Sequence, residues 1–89
     1  MTSDPQTGPV REAVMAFLAT RQQEIGSSLV LTPELPVFEL GLLDSVSLIE
    51  LVSAVEGATG QAVDMLRFDP AAVESIDDLV RELSASLGG

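Results

Sequence analysis

Phe38-Glu39-Leu40-Gly41-Leu42-Leu43-Asp44-Ser45-Val46-Ser47-Leu48-Ile49-Glu50-Leu51-Val52 is where the chain changes character. Just upstream, Pro33 and Pro36 forbid a continuous helix and keep the approach irregular. From Asp44 onward, Leu48, Leu51, Val52 and Val55 fall at the spacing of one helix face. Asp44 suits the N-cap of that helix, a role worth roughly 1 kcal/mol. The helix is expected over about Ser45 to Ala58, with Gly57 and Gly60 weakening its end. Val46, Ile49, Glu50, Ser53 and Glu56 fall on its other faces.

Working outward, Val10, Ala13, Val14, Phe17, Leu18 and Ile25 recur at helical spacing. They predict a first helix from about Pro9 to Ile25, stopped at Gly26. Residues 1–8 are polar and read as a frayed tail, which leaves 9–89 as one domain. The connection Ser27 to Leu43 is long but rich in apolar residues, including Leu29, Val30, Leu31, Leu35, Val37, Phe38 and Leu40. Loops of that length are usually functional. These residues are expected to pack down across the helices; a short strand at Leu29 to Leu31 is the alternative, and it lacks an obvious partner. Asp69-Pro70 reads as the start of a short third helix ending near Val73. Ser75-Ile76-Asp77-Asp78 resembles a capping-box start for a fourth, whose stripe is Ile76, Leu79, Val80, Leu83 and Leu87 and whose stop is Gly88-Gly89. The expected fold is all-α: a small four-helix bundle with a long first loop and a short third helix.

Composition narrows the function. The 89 residues contain no Cys, His, Lys, Tyr, Trp or Asn. Without Cys there is no disulfide, thiolate metal site or thiol nucleophile. Without His and Lys, the commonest general base and the Schiff-base nucleophile are missing, so the chain is read as non-catalytic. Net charge is −10, from fourteen acidic and four basic residues. That repels nucleic acid and anionic lipid, and suits partners with basic patches. The same self-repulsion predicts a fold strengthened by salt and by mild acid. Nothing approaches the ~18 apolar residues of a membrane span, and the first eight residues lack a signal-peptide core. A cytoplasmic, monomeric protein is expected, and the Arg-without-Lys, Ala-rich usage suggests a GC-rich bacterial genome. No phosphate loop, calcium loop, zinc spacing or basic patch is found. Asp77-Asp78 reads as a solvated face rather than a cation site, because adjacent helix positions diverge.

Asp44-Ser45 is the remaining candidate for chemistry. A serine at the positive end of a helix, beside a carboxylate, is placed to carry a phosphate ester. Val46 and Ile49 lie one and four residues after Ser45, away from the buried stripe, flanked by Glu50 and Glu56. This describes a docking surface with an apolar centre and an acidic rim. The long connection delivers the serine to an exposed corner.

From about Val10 to Leu87 the chain resembles the acyl carrier protein family. That family's signature is Asp-Ser, an aliphatic residue, two variable positions, an aliphatic residue, Glu and Leu. It reads here as Asp44, Ser45, Val46, Ser47, Leu48, Ile49, Glu50 and Leu51. Phe68-Asp69-Pro70 and Ser75-Ile76-Asp77-Asp78-Leu79-Val80 look like the family's later helices. The resemblance implies that Ser45 carries 4'-phosphopantetheine and that Asp44 positions the transferase's cations and coenzyme A. It also implies that Val46, Ile49, Glu50, Ser53 and Glu56 meet partner enzymes, Glu50 and Glu56 through basic residues.

Fatty-acid carriers usually have Gly three before the serine, an acidic residue two after it and Met eight after it. Leu42, Ser47 and Ser53 stand there instead, with Gly41 one place earlier and Gly57 where a second glutamate is common. The Gly41-Leu42-Leu43-Asp44-Ser45 wording looks more like discrete carriers of polyketide, nonribosomal or aminoacyl-ligase pathways. The function so implied is a stand-alone acyl or aminoacyl carrier of secondary metabolism. Its partners are a phosphopantetheinyl transferase, a loading ligase or acyltransferase, and downstream synthase, condensing or tailoring enzymes. The rival reading is a small acidic helical adaptor with no prosthetic group.

Overall fold

The computed structural model describes residues 7–88. Within them are three α-helices: α1 Thr7–Ile25, α2 Ser45–Thr59 and α3 Ile76–Ala85, with a single 3₁₀ turn at Pro70–Ala72 between the last two. The fold is all-helical, but the expected four-helix bundle is corrected to three helices and a turn. Asp69 caps that turn by accepting the Ala71 N–H, and Pro70 occupies its first position. Val73 then turns to extended backbone and is buried, and Ser75 caps α3. Too few residues separate the two caps for a further α-helix.

Val10, Val14 and Leu18 form the buried seam of α1, which packs against both α2 and α3. α1 starts at Thr7, two residues before the expected Pro9, and residues 1–6 of the expected tail lie outside the described residues. Ile25, read as part of the stripe, is 44% exposed, because the helix ends there. Gly26 takes a φ of 72°. The Ser27 N–H then reaches back to the Gln22 carbonyl, a left-handed exit that favours glycine.

The first connection descends to α3 and returns. Ile76 N and Asp77 N donate to the Leu35 and Pro33 carbonyls, which pins the middle of the connection to the start of α3. Val37, Leu42 and Leu43 are buried, and Leu31, Leu35 and Phe38 pack against the core. Leu29, Val30 and Leu40 do not join them and are exposed. The alternative strand at Leu29 to Leu31 does not form; Thr32 N instead donates to Val30 O in a tight turn.

α2 buries Leu48, Leu51, Val52 and Val55, the face expected of it. It runs one residue past Ala58 and stops where Gly60 adopts φ 70°. α3 ends at Ala85, earlier than the expected Gly88-Gly89 stop, and Gly89 lies outside the described residues. Leu87 is buried from beyond the helix, in an antiparallel bridge with Val63. Asp64 N donates to Ser86 O and Gly88 N to Ala62 O, closing the α2–α3 connection onto the residues that follow α3.

Candidate functional site

Ser45 is the first residue of α2 and is exposed. Its position is set by the residues on either side. Leu42 and Leu43 bury their side chains, and both of their N–H groups donate to the Val37 carbonyl. Gly41, at φ 76°, makes the bend that allows this. Asp44 has extended backbone and caps the helix reciprocally with Ser47. The Ser47 N–H and hydroxyl both donate to Asp44 Oδ1, each at 2.8 Å, and the Asp44 N–H donates to Ser47 Oγ at 2.9 Å. The Asp44 carbonyl accepts the Leu48 N–H. Ser47 is thus buried and its hydroxyl consumed, while that of Ser45 stays outside the cap.

The Ser47 backbone N–H and then its hydroxyl hold the Asp44 carboxyl below its ordinary range, partial desolvation opposes them, and Arg21 adds to the lowering. The carboxylate is therefore ionised beside Ser45. Arg21, from α1, stands 3.5 Å from Asp44 Oδ2 and donates from Nε to the Leu42 carbonyl at 3.3 Å. Neither Ser47 nor Arg21 was identified as a site residue from sequence. The reciprocal cap was detectable as Asp-x-x-Ser, a short relative of the usual Glu or Gln form. The approach of Arg21 across twenty-odd residues leaves no local signal.

On α2, Val46 and Ile49 are 70% and 64% exposed. Glu50 and Ser53 are exposed too, whereas Glu56 is half-buried. Ile49, Ser53 and Glu56 come together with Val52, Val63 and Met65 around a groove of about 270 Å³; Val46 and Glu50 lie outside it. Glu56 Oε2 accepts the Val63 N–H at 2.9 Å, so this acid also fastens the α2–α3 connection. Beyond the groove, Leu66 is 98% exposed, a neighbour the sequence reading overlooked.

A wider cleft, about 570 Å³, lies between the first connection and the start of α3. Glu34, Glu39, Glu74 and Asp78 line it, but Ser45 does not, and its one hydroxyl, on Ser75, is engaged in capping α3. Asp77 and Asp78 are held by arginines: Asp77 by Arg11 at 2.6 Å and by Arg81, Asp78 by Arg81 at 3.1 Å. Among the described residues no group of three acids is arranged to hold a metal, and no helix is long and apolar enough to cross a membrane.

Ser45 is thus an exposed serine that opens a helix, ahead of a face on which Val46 and Ile49 stand exposed. Residues 10–83 match the family of the phosphopantetheine attachment site, and the chain belongs to that family. Its members carry 4'-phosphopantetheine covalently, are themselves non-catalytic, and work with a phosphopantetheinyl transferase and partner enzymes. No curated protein and no solved structure matches the chain.

Proposed function

We propose that this chain is a discrete acyl or aminoacyl carrier of secondary metabolism, of the polyketide or nonribosomal type, acting in the cytoplasm of a bacterium as a monomer. Ser45 is its attachment residue. The observation that carries this reading is the contrast between two serines of α2: Ser47 Oγ is spent in the cap, while Ser45 is exposed at the first helical position. The site fits a phosphodiester, since Ser45 opens α2, the positive end of a helix favours an anion, and the Ser45 side chain is exposed.

In this reading Ser45 Oγ attacks the coenzyme A pyrophosphate in the transferase's active site. The new Oγ–P bond replaces the P–O bond to adenosine 3',5'-bisphosphate, and the hydroxyl proton passes to a base of the transferase. Asp44, ionised and fixed by Ser47, positions the Mg2+ and coenzyme A that the transferase brings. Bound at Ser45, the arm would supply a terminal thiol able to take the cargo in thioester linkage. Val46, Ile49, Glu50, Ser53 and Glu56 meet the loading ligase or acyltransferase and later the synthase, condensing or tailoring enzymes. An apolar centre and acidic rim support that assignment. The departures at Leu42, Ser47 and Ser53 favour these pathways over primary fatty-acid synthesis. Membership of the attachment-site family weighs against an adaptor without a prosthetic group.

Incubation with coenzyme A, Mg2+ and a broad-specificity transferase should add one phosphopantetheinyl group to the intact mass, and Ser45→Ala should abolish the addition. A gain that persists in Ser45→Ala would place the attachment elsewhere.

A further inference from the structure

Between Val37 and Ser45 the chain makes a return loop whose final polar groups are nearly all assigned to the loop itself or to α2. The N–H groups of Leu42 and Leu43 go to Val37 O, and Asp44 N, O and Oδ1 go to Ser47 and Leu48. Among the acceptors left over are the Leu42 carbonyl and Asp44 Oδ2. Both face one guanidinium, that of Arg21 on α1. Its side chain is only 24% exposed, and its Nη1 also stands 3.8 Å from Glu24 on the same helix. Arg11 and Arg81 are engaged with Asp77 and Asp78 at the start of α3, well away from this corner.

Resting on the carrier reading, we propose that Arg21 is a positioning residue for the modification of Ser45. One guanidinium ties the Leu42 carbonyl, two residues ahead of Asp44, and Asp44 Oδ2 to α1. As an exposed ion pair the contact contributes little stability, since Asp44 is 61% exposed. Its effect is directional. Oδ1 is locked by the cap, and with Oδ2 held by Arg21 the carboxylate plane has one orientation beside the nucleophile. Loss of that alignment matters for a serine that must meet an attacking geometry in another protein's site. Lysine cannot replace the guanidinium, because one ammonium on a flexible stem does not span a carbonyl and a carboxylate in fixed geometry.

The test uses the full chain with Arg21→Gln, Arg21→Lys and, as a control for loss of a distant cation, Arg81→Gln. Initial rates of phosphopantetheinylation by a purified broad-specificity transferase are followed by intact mass, with Ser45→Ala as the blank. Arg21→Gln should lower kcat/KM roughly tenfold, more in kcat than in KM, with helicity by circular dichroism unchanged. Arg21→Lys should recover little of that, and Arg81→Gln should react at the wild-type rate. In the unmodified protein, amide hydrogen exchange at Asp44 and Ser47 should quicken in Arg21→Gln. Unchanged exchange there, full rescue by Lys, or an Arg21→Gln rate equal to or above wild type would overturn the assignment. A wild-type chain that takes up no group would count against the carrier reading instead, while the exchange measurement still decides the role of Arg21.

Discussion

Ser47 Oγ lies 2.8 Å from Asp44 Oδ1 and 2.9 Å from Asp44 N, so the residue before Ser45 and the residue two after it close on each other and leave Ser45 outside. The two serines should therefore separate in mutagenesis. Ser47→Ala should cost about 1 kcal/mol in urea unfolding, the usual loss for a helix cap, and should still gain the phosphopantetheinyl mass. Ser45→Ala should be nearly neutral in stability and gain no mass. A folded Ser47→Ala chain that fails to load would contradict this division.

Ile49 and Leu51 are two residues apart on α2, yet one is 64% exposed and the other fully buried. Ile49→Ala should change stability by under about 0.5 kcal/mol while slowing loading by the cognate enzyme. Leu51→Ala should cost about 2–5 kcal/mol, because it opens a void among the packed side chains of the core. Similar losses in denaturant titrations of the two variants would mean that the α2 face assigned to partners is part of the core.

The phase of α2 was legible because period and cap agreed: Asp44 fixed the start, and Leu48, Leu51, Val52 and Val55 fixed the face. Leu87 and Pro70 show where that logic fails. Leu87 fits the α3 stripe by spacing, but its burial comes from the bridge to Val63, a pairing distant in sequence. Asp69-Pro70 signals a helix start, and start signals carry no information about length. The Asp44-Ser45 corner was readable as a motif. Its support from Arg21 is a tertiary contact between α1 and the connection, which no local pattern encodes.

Ser86 carries a buried hydroxyl with no hydrogen-bond partner among the described residues, although its own N–H and carbonyl are both paired. A buried polar group left unmatched is unfavourable by about 1–3 kcal/mol. Ser86→Ala should leave the backbone pairing intact and raise stability by about 1 kcal/mol, read as a shift in urea midpoint at constant slope. A loss of stability would reveal that the hydroxyl makes a contact in solution.

Fourteen acids against four arginines leave far more carboxylates than the ion pairs can match. Melting temperature should rise between low salt and about 0.5 M as repulsion between exposed charges is screened. A flat or falling curve would mean that the pairs at Arg11, Arg21 and Arg81 outweigh the repulsion.

Acid should act on two residues that the net charge does not single out. Asp44 is lowered chiefly by the Ser47 backbone N–H and Asp77 chiefly by its hydrogen bond from Arg11, both from an ordinary value of 3.8. A carboxylate with a depressed folded-state pKa stabilises the fold fully above its unfolded value, and that contribution disappears as pH falls through the folded value. The sequence-level expectation of gain in mild acid came from repulsion raising carboxylate pKa values; Asp44 and Asp77 move the other way. Their stabilisation should therefore be constant from neutral pH to about 5 and be lost below about 4. Melting curves from pH 7 to 2.5 should show a steeper acid limb for the wild type than for Asp44→Asn or Asp77→Asn. Equal steepness in all three would show that neither ion pair nor cap is linked to protonation.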